Sequence, residues 1–283
     1  SAGRPCFACR NCRRGDLTNC LNIQLMAFAY DGAWAEYTVA QAGGLTRIPD
    51  NVPFEQAAIL ADAVSTPFGA VVRTGKVVVG ETVGVWGVGG VGTHIVQLAR
   101  LVGAVPVIAF DINPAVRERA LELGADYAFD SRDENLKEKV AEATGGRMLD
   151  VAFDAAGLKV TFEQALDCLT VGGRLVAVGL SAQEASVGTT AQFGLSQKQV
   201  LGHLATRTWT SKPSPNWCPV AASTCRGRSA RSSRSKTSQR ASRNSRTMRE
   251  IPSGSSSNPE TGRSWTRLTG TCRCPAVPSG HGI

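Results

Sequence analysis

The chain has 283 residues, 42% of them hydrophobic and 19% charged, the composition of a globular protein long enough for one large domain or two ordinary ones. No run approaches the roughly 18 apolar residues that span a bilayer, so no membrane partner is expected. The net charge of +8 is unevenly placed: residues 1–203 hold 17 Lys/Arg against 21 Asp/Glu, and residues 204–283 hold 14 against 2. A mildly acidic body thus carries a strongly basic stretch, which reads either as a nucleic-acid-binding tail or as a part of different origin.

The first residues, Ser1-Ala2-Gly3-Arg4-Pro5, contain neither Met nor an apolar h-region. No signal peptide is expected, the location reads as cytoplasmic, and the chain reads as a fragment. Next comes Cys6-x2-Cys9-x2-Cys12-x7-Cys20. Tight cysteine spacing without an export signal points to metal rather than disulfides. Four thiolates enclose a zinc ion tetrahedrally and leave no open position, so the predicted site is structural. The x2-x2 spacing also allows an iron–sulfur cluster, and free thiols are the plain alternative.

Residues 21–56 read as short strands and turns, and the alternation in 32–39 predicts an antiparallel strand. Residues 56–72 read as a helix. From Glu81 onward short β-branched runs alternate with helical stretches: 82–88 then 91–101, 105–110 then 114–123, 127–129 then 135–143, 151–155 then 161–169, and 174–178. This grammar predicts a doubly wound parallel sheet of the Rossmann kind. Asn113 is placed to cap a helix that opens on Pro114, and Gly124 to stop it.

The first strand of that series runs into Gly87-Val88-Gly89-Gly90-Val91-Gly92. The first glycine permits a tight turn, the second lets backbone approach a pyrophosphate, and the third lets helix pack on strand. The helix N-terminus then offers free N–H groups and a positive dipole end to the phosphates. Asp111 ends the second strand 24 residues after Gly87, near the spacing of the acid that holds the ribose hydroxyls. A carboxylate there repels a 2′-phosphate, so NAD is expected rather than NADP. A glycine turn in some other α/β fold is the alternative. Asp154 and Leu180 follow the fourth and fifth strands, where ligands gather or where a strand simply ends. His94 and His203 read as packing or surface residues.

Residues 205–283 are rich in Ser, Arg, Thr and Pro, show no period and are expected to stay disordered. Arg226–Ser235 would suit RNA phosphates. The stretch also contains Trp209, Trp217, Trp265 and scattered cysteines, which such tails rarely carry. A frameshift is the preferred reading: residues 247–255 can be encoded so that a one-base shift yields Asn-Asp-Ala-Gly-Asn-Pro-Ile-Arg-Ile. Under it the last Rossmann strand would be missing, and nucleic acid is not the expected partner.

Taken together, the cysteine lobe, Gly32-Ala-Trp-Ala-Glu-Tyr37, Ala61-Asp-Ala-Val-Ser-Thr-Pro67, the glycine loop and Leu123-Gly-Ala-Asp126 resemble the zinc-containing medium-chain alcohol dehydrogenases over about residues 5–204. The resemblance implies residues 1–75 as part of a GroES-like, mostly β catalytic domain with its zinc lobe, and 76–204 as an NAD-binding Rossmann domain followed by the aberrant tail. It implies zinc at Cys6, Cys9, Cys12 and Cys20, and NAD on Gly87, Gly89, Gly90, Val91, Gly92, Asp111, Thr66 and Leu180. Hydride would pass between NAD and a small-molecule alcohol or aldehyde, in a homo-oligomer. Asp62 falls at a catalytic-zinc ligand position where many members have Cys. The family's catalytic Cys and Gly-His-Glu run precede the zinc lobe, so the chain is expected to bind nucleotide better than it catalyses.

Overall fold

Six parallel strands, in the spatial order Tyr127–Phe129, Val107–Phe110, Val83–Trp86, Leu149–Asp154, Leu169–Ala177 and Gln199–Gly202, form the sheet on which everything else is hung. In this computed structural model residues 3–42 and 45–204 are described. They fall within the first of two units, Ser1–Ser229; the second, Ala230–Ile283, lies outside the described residues.

The strands are β3 (Val83–Trp86), β4 (Val107–Phe110), β5 (Tyr127–Phe129), β6 (Leu149–Asp154), β7 (Leu169–Ala177) and β8 (Gln199–Gly202). β3 and β4 are buried at every residue, as continuous apolar strands covered on both faces must be. Their side chains alternate between two cores. Val83, Val85, Val107 and Ala109 face one with Ile95, Val96, Leu98, Ala70 and Val71; Trp86, Ile108 and Phe110 face the other with Leu136, Val140, Ala165 and Leu166. Trp86 and Phe110 are register partners and stack with centroids 3.9 Å apart. Phe129, the partner of Phe110 on β5, continues the row at 6.1 Å, a cross-strand ladder that stiffens this part of the sheet.

The helices follow their local signals. α4 (Gly90–Val102) ends on Gly103 at φ 98°, and Asn113 caps α5 (Pro114–Glu122) by accepting from the Ala115 amide. Gly124, just past α5, has φ 109°, a conformation glycine takes without strain. α6 (Leu136–Ala143) and α7 (Lys159–Asp167) cover the second core. A short helix α8 (Thr190–Ser196), which the sequence reading does not contain, precedes β8; Thr189 and Gln192 form its capping box.

Three expectations change. Residues 32–39 form no strand: Trp34, Tyr37 and Val39 are exposed, and no described residue pairs with them. Alternation alone makes no strand without a neighbour for its hydrogen bonds and a core for one face. The helix expected at 56–72 runs from α2 (Phe54–Ile59) through a π turn (Leu60–Val64), α3 (Ser65–Phe68) and a second π turn, Gly69–Thr74. A sixth strand, expected to be lost with the tail, is present as β8 beside β7, so six strands pair among the described residues.

The N-terminal residues form α1 (Arg10–Arg13) and an antiparallel pair, β1 (Gly3–Arg4) with β2 (Gln24–Leu25). Among the described residues no helix is long and apolar enough to cross a membrane. The basic stretch 205–283, with the readings placed on it, lies outside the described residues.

Candidate functional site

The strand order reverses between β3 and β6, so the connections that leave their carboxyl ends run to opposite faces of the sheet, the crevice position where doubly wound sheets take ligands. The glycine loop crosses it. Gly87 has φ +78°, and a Cβ there would meet the Ala156 backbone nitrogen at 2.8 Å. Around Gly89 a Cβ would meet nothing within 4 Å, whereas one on Gly92 would overlap the Gly87 carbonyl. The three glycines thus turn the chain, leave an open approach and let α4 lie against β3. No side chain caps the start of α4, so the first-turn amides, those of Gly90, Val91 and Gly92, face outward unpaired by the helix.

Asp111 stands beside this loop. One carboxylate oxygen accepts from the Val88 amide at 2.9 Å and the other from the Asn113 amide at 2.9 Å. The acid is thereby aimed at the loop by backbone donors on two elements.

Across the crevice the loop after β6 hangs on Asp154. Its side chain is buried and accepts from Ala156 N at 3.2 Å, Gly157 N at 3.1 Å and Thr161 Oγ1 at 2.9 Å. Burial pushes its carboxyl pKa up, against the pull of those three donors. Gly157, at φ +71°, packs so closely on Gly179 that a Cβ would meet the Gly179 carbonyl carbon at 2.7 Å. Leu180, next in sequence, is 80% exposed at the rim.

The helical run 54–74 supplies another wall. Asp62 lies exposed in its first π turn, and Thr66 is buried in α3. The Thr66 hydroxyl donates to Asp62 Oδ1 at 2.7 Å. His203, just past β8, has one ring nitrogen 3.0 Å from the Thr66 carbonyl and the other 2.9 Å from the Thr74 hydroxyl. Burial lowers its pKa, so the ring is neutral near pH 7. His94 is buried in α4 with Nδ1 2.8 Å from the Gly90 carbonyl, a packing residue as expected.

The N-terminal lobe brings Cys6, Cys9, Cys12 and Cys20 together with all four Sγ atoms within 4.8 Å of one another. Tetrahedral zinc with sulfur at about 2.3 Å places its sulfurs about 3.8 Å apart, so the set fits with a small contraction. Backbone amides already point at sulfur: Cys6 N to Cys20 Sγ at 3.3 Å, Cys9 N to Cys6 Sγ at 3.4 Å and Asn22 N to Cys20 Sγ at 3.4 Å. Amides of Cys12 and Leu21 bring the Cys9 thiol down to about 6, and burial among its thiol neighbours pushes Cys12 up to about 12. A divalent cation at the centre would ionise all four. Asp62 belongs to no group of three or more metal-competent side chains among the described residues, so the described residues do not assemble a catalytic zinc site around it.

The sequence reading missed two features here. Asp154 reads in the sequence as a ligand-gathering position or a plain strand end, and its part in anchoring the loop is not seen there, although the Asp-x-x-Gly spacing to Gly157 hints at it. The His203–Thr66 contact spans 137 residues and leaves no local signal.

The family described as zinc-binding dehydrogenase matches residues 90–215. L-threonine 3-dehydrogenase of Alteromonas mediterranea is 33% identical over 72% of this chain and 60% of its own length. Among solved structures, an alcohol dehydrogenase from Thermus sp. ATN1 superposes with a TM-score of 0.67 at 27% identity, over 72% of this chain and 60% of that one. An NAD-dependent alcohol dehydrogenase gives 0.66 at 29% identity, over 73% and 60%. The chain therefore spans about three-fifths of the length of the proteins it matches.

Proposed function

We propose that this chain is a member of the medium-chain, zinc-binding dehydrogenase family and acts as an oxidoreductase that binds NAD and passes hydride between it and a small-molecule alcohol. The observation that carries this is the glycine loop at the sheet's reversal point with Asp111 hydrogen-bonded to its Val88 amide. When bound, the nicotinamide supplies the hydride chemistry. The chain's own residues do the holding. First-turn amides of α4 at Gly90, Val91 and Gly92 meet the pyrophosphate, and Gly87 and Gly89 keep side chains out of its path. Asp111 accepts from the adenosine ribose hydroxyls, exchanging its contact with Val88 for them. Thr66 and Leu180 flank the nicotinamide end.

Cys6, Cys9, Cys12 and Cys20 would hold a structural zinc, which fixes their lobe and offers no open position to substrate. Among the described residues Asp62 has no partners that would complete a catalytic zinc site. We assign residues 1–75 to the partial GroES-like domain and 76–204 to the nucleotide domain. The resemblance favours a homo-oligomer in the cytoplasm, with the alcohol rather than nucleic acid or membrane as partner.

Titrating the 283-residue chain with NADH and NADPH by fluorescence tests this reading. NADH is expected to bind at least about tenfold more tightly, since Asp111 would face a phosphate dianion. Equal affinities, or none for either, would overturn it.

A further inference from the structure

We infer that His203 is a positioning residue for the nicotinamide end of the site, an inference that rests on the proposed nucleotide reading. The imidazole stands between the sheet and the helical run 54–74. Its backbone amide prolongs the ladder beyond β8 by donating to the Ala177 carbonyl at 2.9 Å. Its ring reaches the other way. The Thr66 carbonyl can only accept, so the nitrogen 3.0 Å from it, Nε2, carries the proton. Nδ1 is then the acceptor and takes the Thr74 hydroxyl proton at 2.9 Å.

The consequence lies in what Thr66 does next. Its carbonyl is held by His203 and its hydroxyl by Asp62 at 2.7 Å. Thr66 sits in the four-residue stretch α3, between the π turns Leu60–Val64 and Gly69–Thr74. A π turn replaces the usual i→i+4 pattern, and such irregularities recur at functional sites. With a looser backbone on either side, α3 depends on outside contacts for its setting. His203 supplies two, one at Thr66 and one at Thr74. Through them the sixth strand sets where Thr66 and Asp62 stand relative to the crevice. The hydrogen bonds of His203 go to Thr66, Thr74 and Ala177 and none reaches the adenosine half of the site, built on β3, α4 and β4.

That division gives a test, read by calorimetry on the full chain. ADP-ribose carries the adenosine and pyrophosphate but no nicotinamide; NADH carries all three. His203→Ala is expected to weaken NADH about tenfold while ADP-ribose stays within about twofold, which also reports that the sheet has folded. His203→Gln puts an amide N–H where Nε2–H stands and should restore most of the NADH affinity. His203→Asn reaches only as far as Nδ1 and should not. Unchanged NADH binding by His203→Ala overturns the inference, as does an equal loss of both ligands, which would mean His203 merely supports the fold. Failure of the unmodified chain to bind either ligand overturns the nucleotide reading itself, and the inference with it.

Discussion

At the residue scale the site is made of groups whose surroundings leave them little choice. Gly92 is the sharpest case, because a Cβ there would overlap the Gly87 carbonyl. Gly92→Ala must push α4 off β3, and we expect about 1–3 kcal/mol lost in denaturant unfolding, with NADH affinity falling at least about tenfold. Wild-type affinity in a variant of wild-type stability would show that the loop tolerates the shift. Asp154 makes a pH-dependent case. Its pKa is raised by burial, so the native state favours the neutral acid. The stability this contributes is present in full below the unfolded value, near pH 4, and is lost as pH rises through the higher folded value. Asp154→Asn keeps a neutral acceptor for Gly157 N and Thr161 Oγ1 at every pH. Its stability relative to the native chain should therefore climb with pH from about 4 upward. Parallel unfolding curves for the two proteins across that range would contradict the assignment. Both residues were visible in the sequence. The role of Gly92 followed from its spacing, whereas that of Asp154 did not, since the donors that define it belong to a loop whose course only folding sets.

At the scale of elements, local chemistry decides as long as the partners are near in sequence. Cysteine spacing brings four sulfurs within 4.8 Å because Cys9 caps α1, accepting from the Cys12 amide, and the following turns return Cys20. We expect about one zinc per purified chain by elemental analysis, and Cys12→Ser to reduce it well below that. Cys168→Ser, which changes a buried thiol in the second core, should leave the zinc content alone. Zinc retained in full by the Cys12 variant would remove the four-sulfur site. The opposite case is the stretch 32–39, where an alternating pattern met no partner strand and Trp34, Tyr37 and Val39 stayed in solvent. Pattern is a statement about which face could be buried, and burial needs a second surface.

At the scale of the whole molecule, the sheet is the rigid body that brings distant groups together. Phe153, fully buried in the first core, touches the helical run as well: a Cβ on Gly75 would meet its ring at 2.9 Å. Phe153→Ala should cost about 3–5 kcal/mol, measured by chemical unfolding, while Trp34→Ala should stay within about 0.5 kcal/mol. Comparable losses in both would mean that Trp34 is packed after all. Arg174 works at the same scale. It pairs both its terminal nitrogens with Glu81, at 2.9 and 2.7 Å, and donates to the Gly75 and Lys76 carbonyls. A strand of the sheet thereby grips the segment that leads from the helical run into β3.

The sequence by itself determined the parallel sheet, the glycine loop, the placing of Asp111 at the end of the next strand and the four-cysteine lobe. Each depends on periodicity or on residues close together along the chain, and chain geometry enforces those relations locally. The tertiary structure decided the rest: which alternating stretch finds a partner, that β8 pairs with β7, and that His203 meets Thr66 across 137 residues. Those contacts exist only once loop closure has been offset by burial of the shared core, and no local pattern encodes which distant surfaces that core will join.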